Sequence, residues 1–286
     1  MRDEFRELLA RRYGPIKAQY FGEGRRRWHI RALQEQWRSG STFPPCVAMT
    51  LPTEEDLMQD SDPSDQLVDG PELGLLLRTD FSDEEAWKSF ISRLEGAEAE
   101  LAEALKPEPQ AEPHGEAEVK NADDAMDEDS DSEDDEPAAV PSPVLRVVNP
   151  DAPEERSVVS GISNLTALRL FNDIDIRPAP PLPPDSKRVL SPNPLIDYFG
   201  WQEIYSGPSL WIYDAKSNQD QCLRQVSQQG DVYGTATGDS WRTRVTHAPE
   251  LQFNMTCLGM KIDFGGLDRW DYEERKRNLD ETIIPM

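Results

Sequence analysis

Histidine is scarce in this chain, with only His29, His114 and His247, and that scarcity bounds the chemistry open to it. Imidazole is the side chain whose ordinary pKa lies nearest neutrality, and it is the commonest base and transition-metal ligand. A histidine triad or a multi-histidine metal centre is hard to assemble from three. The arrangement worth testing has His247, three residues before Glu250, as base, with Cys222 or Cys257 as nucleophile. A second candidate centre lies at the end of the segment Leu76-Leu77-Arg78-Thr79-Asp80-Phe81-Ser82, around Arg78, Asp80 and Ser82, where Arg78 has the chemistry to hold an anionic substrate or, as the structural alternative, to form an ion pair. Arg78, Asp80 and His247 together form the catalytic set of an enzyme reading.

Two carboxylate pairs, Asp80 with Asp83 and Asp173 with Asp175, carry the hard oxygen donors that a divalent cation prefers. The simpler reading of the first pair is structural. Acids just before a helix stabilise its dipole by roughly 0.3–1 kcal/mol without any metal. The expectation is therefore no metal and no cofactor. Asp263-Phe264-Gly265 copies the magnesium-binding tripeptide of protein kinases in letters alone, since the glycine-rich loop, strand lysine and His-Arg-Asp loop are missing. No Walker, Rossmann, Gly-x-Ser-x-Gly or zinc-ligand spacing occurs either.

The elements that must position these residues can be read from apolar spacing. Leu73, Leu75, Leu76 and Leu77 make a strand-length apolar run; Ser82 and Glu85 have the spacing of a capping box; Trp87, Phe90, Ile91 and Leu94 then recur at helical intervals. A strand entering a capped helix needs a sheet to join. Val144 to Val148, Ser209 to Tyr213, Cys222 to Val226 and Trp241 to Thr246 supply further strands, while Leu165 to Phe171 is apolar but ambiguous in type. Pro249 suits a helix start, and Asp268 to Leu279 reads as a charged surface helix.

Composition divides the chain. Of its 286 residues 37% are apolar, and 55 acidic against 30 basic residues leave a net charge of −25. Residues 107–142 hold 14 acids against Lys120 alone, just over half of that net charge, and have the composition of a disordered insertion. A proline-rich insertion follows at 178–194. Residues 46–72 form an acidic linker, and residues 1–45, with ten basic and five acidic side chains, form a basic extension of two amphipathic helices parted by Gly14-Pro15 and Gly22 to Gly24. The body, 73–283, is then one compact mixed-sheet α+β domain interrupted by the two insertions. Such acidity disfavours nucleic acid and anionic membranes. No apolar stretch has the length of a membrane span, no signal-peptide core is present, and Cys46, Cys222 and Cys257 lack disulfide or zinc spacing, so a reducing cytoplasmic or nuclear setting is expected.

Two further segments point to partners. Arg177-Pro178-Ala179-Pro180-Pro181-Leu182-Pro183-Pro184 has the Arg-x-x-Pro-x-x-Pro form of a polyproline-II ligand, in which Pro180 and Pro183 fill aromatic grooves of an SH3-type domain and Arg177 meets its acidic pocket. Ser130 and Ser132 each precede an acid by three residues, as in substrates of casein kinase 2, and each phosphate would add about −1.5 to −2 charge. A basic protein is the natural partner of such a tract. Within the chain, Arg25-Arg26-Arg27 with Arg11, Arg12 and Arg31 is the alternative basic surface, and the same arginines read equally as a nuclear-localisation patch.

The segment from Leu76 to Trp87 resembles the opening "LLVRTDFSDDAAW" of an uncharacterised domain-of-unknown-function family. Val245, Ala248, Glu250-Leu251, Asn254, Met260 and Asp263-Phe264 resemble its closing elements. The resemblance implies a small α+β domain and carries no catalytic residue, ligand or partner. The basic extension and both insertions depart from it. The functional expectation is a non-catalytic binding or adaptor protein that recruits partners through its acidic and proline-rich segments, with the enzyme reading as the alternative.

Overall fold

The computed structural model describes residues 1–40, 43, 51–106, 143–181, 192–231, 235–262 and 271–284. Two helices open the chain, α1 (Asp3–Gln19) and α2 (Arg25–Arg38), followed by the single-turn helices α3 (Glu54–Met58) and α4 (Asp65–Val68). The body comprises β1 (Gly74–Arg78), α5 (Glu84–Ala104), β2 (Leu145–Val148), α6 (Pro153–Val159), α7 (Asn164–Phe171), β3 (Asp173–Pro178), β4 (Trp201–Ser206) and β5 (Ser209–Tyr213). It closes with α8 (Ser217–Asp220), β6 (Cys222–Val226), β7 (Ser240–Arg244), α9 (Ala248–Cys257) and α10 (Tyr272–Glu281). This is an α+β fold with N-terminal helices, as the sequence implies.

Five strands form a mixed sheet in the order β2-β1-β5-β6-β7, and β3 pairs antiparallel with β4 in a separate ribbon. β1 lies parallel to both β2 and β5, while β6 and β7 extend the sheet antiparallel. All five residues of β1 are buried, as expected of a central strand covered on both faces. On one face Leu76, Trp211, Tyr213 and Leu223 pack beneath α5 and α9 with Trp87, Phe90 and Leu94. Tyr213 receives the edges of Trp87 and Phe90, each with ring centroids 4.8 Å away. On the other face Leu75, Leu77, Leu210, Ile212 and Val226 meet Leu165, Leu168 and Phe171 of α7 and continue into the apolar faces of α1 and α2. Each fully buried side chain of this kind contributes about 1.5–3 kcal/mol.

Three local readings differ from the structure. Helix α1 runs through Gly14-Pro15 without a break, because Ile16 is buried just beyond them and Lys17 is held by Asp60 at 2.5 Å. The helix α5 is capped by Asp83, whose Oδ1 accepts from Ala86 N–H at 2.9 Å, and not by Ser82, which turns back to Asp80. Strand β3 lies where the ambiguous and proline-rich stretches meet, with Ile174 and Ile176 alternating inward, and its partner β4 follows the proline-rich stretch. Residues 178–181 and 192–194 flank residues 182–191, which lie outside the described residues, as do all of 107–142.

The N-terminal helices are fixed by charge as well as by apolar packing. Arg26 is buried with Asp62, at 3.0 Å, and Asp65, at 2.9 Å; Arg25 reaches Asp173 at 2.5 Å. Asp62 also accepts from the Arg26 amide at 3.0 Å, satisfying an otherwise orphaned N–H in the first turn of α2. Gly24 is required there, since a Cβ would collide with Asp62 and Pro63. The acidic segment thus supplies the counter-charges for a helix that begins with three arginines.

Candidate functional site

The end of β1 is the first candidate. Arg78 is completely buried. Its Nε donates to the Asp80 carbonyl at 2.9 Å, its two terminal nitrogens fork onto Glu84 at 3.2 and 3.0 Å, and Nη1 also reaches Asn149 at 3.3 Å. The rings of Phe81 and Trp87 lie 4.8 and 4.6 Å from the guanidinium carbon, a geometry that adds cation–π attraction. The guanidinium fastens the end of β1 to the first residue of α5, and its donors face the protein. No solvent-facing anion clamp is left.

Asp80 is only half-buried, and its Oδ1 accepts from Ser82 N–H at 3.1 Å, Ser82 Oγ at 2.5 Å and Asn218 Nδ2 at 2.8 Å. Burial pushes its carboxyl up, but the hydrogen bonds from Ser82 and Asn218 and the nearby Arg78 charge outweigh that and hold its pKa below the usual value. It is an ionised carboxylate. His247 sits elsewhere, exposed on the turn Val245–His247 after β7. Cys222 directs its thiol to the Asp220 carbonyl at 3.3 Å, and burial together with the Asp220 charge pushes its pKa up, the wrong direction for a nucleophile. Cys257 is exposed on α9. Among the described residues no group of three or more His, Cys, Asp or Glu is placed to hold a metal ion.

A cleft of about 510 Å³ opens at the carboxyl ends of β1 and β5. From β1 the chain leaves through α5 on one face of the sheet, and it returns to β5 from β2 through α7 on the other. The crevice between the two strands is therefore a topological switch point, the place where open sheets with parallel strands bind ligands. Thr79 and Asp80 line it from β1, Asp214 and Lys216 from β5, and α10 roofs it with Asp271, Glu273, Glu274 and Arg277.

Most of these charges are already matched. Asp214 takes Arg242 at 2.9 Å and Arg224 at 3.3 Å, and although burial raises its pKa, these cations and Ser217 hold it below the ordinary value. Glu274 accepts from the Asn164 amide at 2.6 Å and lies 3.3 Å from Arg224; Lys216 pairs with Asp271 at 3.0 Å. The cleft was missed by sequence reasoning because its walls come from four distant parts of the chain, around Asp80, Gly161, Asp214 and Glu274. The available signal was the pair of parallel strands each followed by an acid, Asp80 and Asp214.

The recruitment residues fall differently. Arg177 is the fifth residue of β3, donating to Gln202 at 2.8 Å, Gln229 at 2.6 Å and the Gly230 carbonyl. Pro178 pairs with Trp201, and Pro180 follows half-buried. Pro183, Ser130 and Ser132 lie outside the described residues. Of the N-terminal arginines, Arg12 pairs with Glu35 and Arg31 with Glu23, while Arg25 and Arg26 serve the acidic segment and Asp173.

A scan against family models finds no match for this chain, and searches of curated proteins and of solved structures find none either. The likeness to an uncharacterised family rests on two short stretches, Leu76–Trp87 and the residues from Val245 to Phe264, alone. Among the described residues no helix is long and apolar enough to cross a membrane.

Proposed function

We propose that the chain is a non-catalytic binding or adaptor protein, its α+β body carrying the acidic and proline-rich segments to partners. The observation that supports this reading is the fate of the candidate catalytic set. Asp80 lines the cleft, but Arg78 and His247 do not, and the Arg78 guanidinium is consumed by Asp80, Glu84 and Asn149. A cleft whose cations are each paired with a carboxylate favours recognition over proton transfer or nucleophilic attack, which need a group held out of such balance.

The partners in this reading are a basic protein for the 107–142 tract, phosphorylated at Ser130 and Ser132, and an SH3-type domain for the prolines from Pro180 to Pro184. Because Arg177 is committed within β3, the prolines carry that second contact without it. The test is quantitative affinity purification of the full chain beside forms lacking 107–142 or 182–191, with thermal melts of each. Each deletion is expected to remove its own partners and leave the melting temperature intact. Identical partner sets from all three forms would end the proposal.

A further inference from the structure

Of the three arginines that open α2, two are already committed. Arg25 pairs with Asp65 and Asp173, and Arg26 with Asp62 and Asp65. Arg27 is exposed and forms no ion pair among the described residues. It lines a second cavity, of about 230 Å³, walled by the start of α2 with the glycines before it, by residues 62–64, by Val158 near the end of α6, and by Arg169 and Leu170 of α7.

Arg169 enters this cavity from the core. It is only 8% exposed, its Nε donates to the Tyr205 hydroxyl at 3.2 Å and its Nη2 to Glu203 at 3.3 Å, and Nη1 has no acceptor among the described residues. A buried guanidinium with one nitrogen left over is a donor in want of an acceptor. The helix adds another. Gly24 is the N-cap of α2 and brings no side chain, so the Arg27 amide, third in the helix, lacks the acceptor that a Ser or Asp cap would supply.

The two acids in the wall do not answer these donors. Glu23, which feels the Arg27 charge, gives one oxygen to Arg31 Nε and the other to its Nη2, both at 2.6 Å. Asp62 gives one oxygen to the Arg26 amide and the other to Arg26 Nη1 and the Ser64 amide, all at 3.0 Å. What the cavity leaves open is therefore two guanidinium groups, from α2 and α7, beside an uncapped helix end. A tetrahedral anion meets donors that converge from different elements, and helix N-termini with arginines are where phosphate groups bind. The volume is below the roughly 300–1,000 Å³ of sites that enclose whole small molecules. It suits one phosphate on a short stem, against the apolar surface of Val158 and Leu170.

We infer that the cavity between α2 and α7 binds the phosphate group of a phosphomonoester, held by Arg27 and Arg169 at the open N-terminus of α2, as a phosphoserine side chain or as a free small ester. The site stands apart from the adaptor reading, since neither the acidic tract nor the prolines line it.

Titration calorimetry on the full chain tests this, with N-acetyl-phosphoserine-methylamide and propyl phosphate as the two sources, and N-acetyl-serine-methylamide and butyrate as controls. Saturable one-to-one binding of the phosphates is expected, at a dissociation constant of about millimolar or tighter, with butyrate weaker by about ten-fold or more. Arg27→Gln should weaken phosphate binding by about ten-fold, and Val158→Glu, which sets a carboxylate against the anion, should abolish it. Both positions are exposed, so thermal melts of the variants should match the parent. Tighter binding of the phosphoserine compound supports the site with a side chain as its source, and tighter binding of propyl phosphate supports it with a free ester. Phosphate binding left unchanged by either variant, butyrate binding as tight as phosphate, or no saturable binding at all overturns the assignment.

Discussion

Arg78 and Glu84 face each other across the turn between β1 and α5, joined by two parallel N–H···O contacts of 3.2 and 3.0 Å. One partner is fully buried and the other about half-exposed. That asymmetry sets what each substitution does. Arg78→Lys loses the fork and the guanidinium contact over the Trp87 ring while keeping a buried charge, and should destabilise by about 2–4 kcal/mol. Glu84→Gln keeps an acceptor at the water-facing end and should cost less than about 1 kcal/mol. Denaturant midpoints at fixed slope give both numbers, and equal losses would refute the asymmetry.

His29 supplies a pH dependence. It is fully buried on α2, both ring nitrogens lack a hydrogen-bond partner, and it sits against Tyr13 and Phe5. Burial, with the Arg25 charge, lowers its pKa to about 3. The unfolded chain takes up a proton near pH 6.5 and the folded one does not, so stability falls as pH drops below that value, by up to about 1.4 kcal/mol per unit until about pH 3. Asp239 works in the opposite sense: burial raises it to about 6 against the pull of Arg275, so its contribution is lost as pH rises from about 4 through 6. His29→Leu isolates the first effect. It should be neutral or stabilising at pH 7, and the gap between variant and parent should widen in favour of the variant from pH 6 to pH 4. A constant gap would show that His29 does not titrate as described.

Arg177 tests the recruitment of an SH3-type domain. Its three acceptors are Gln202, Gln229 and the Gly230 carbonyl, so Arg177→Ala should lower stability by about 1–3 kcal/mol. The affinity of the full chain for an SH3 domain should change by less than about three-fold, whereas replacing Pro183 with alanine should weaken it more than that. Surface plasmon resonance on both variants, with melts alongside, checks the pair. A large affinity loss on R177A with an unchanged melt would reverse the assignment.

Phosphorylation of the acidic tract is expected at Ser130 and Ser132. Incubation of the full chain with casein kinase 2 followed by intact mass measurement should give two phosphates, and the double alanine variant none at these positions. Retention of both phosphates in that variant would place them elsewhere.

Much of the sheet was legible because its strands are locally distinctive. Ser209-Leu210-Trp211-Ile212-Tyr213 is too apolar and too β-prone for a surface segment, and it is β5 residue for residue. Strand β4 was not legible, since its buried Gln202 and Glu203 read as polar. They are tolerated inside because Trp37, Arg169 and Arg177 from other elements, and Tyr205 within β4, satisfy them. Arg78 read from the sequence as a candidate to hold an anion. Its explanation required the Trp87 ring one turn into α5 and Asn149 beyond β2, neither of which local spacing can place. The cleft was hidden for the same reason, with Asp80 and Glu273 separated by most of the chain.

The register between β1 and β2 places Gly74 beside Leu145, so the whole 107–142 tract is threaded through the connection of two adjacent strands. Closing such a connection costs entropy that grows only with the logarithm of its length, and doubling it adds about 0.6 kcal/mol. The sheet is thus nearly indifferent to how much chain is stored between α5 and β2. Its strand order can survive growth, loss or wholesale exchange of that tract, which makes the connection a splice point where new recognition sequence can be inserted at little thermodynamic penalty.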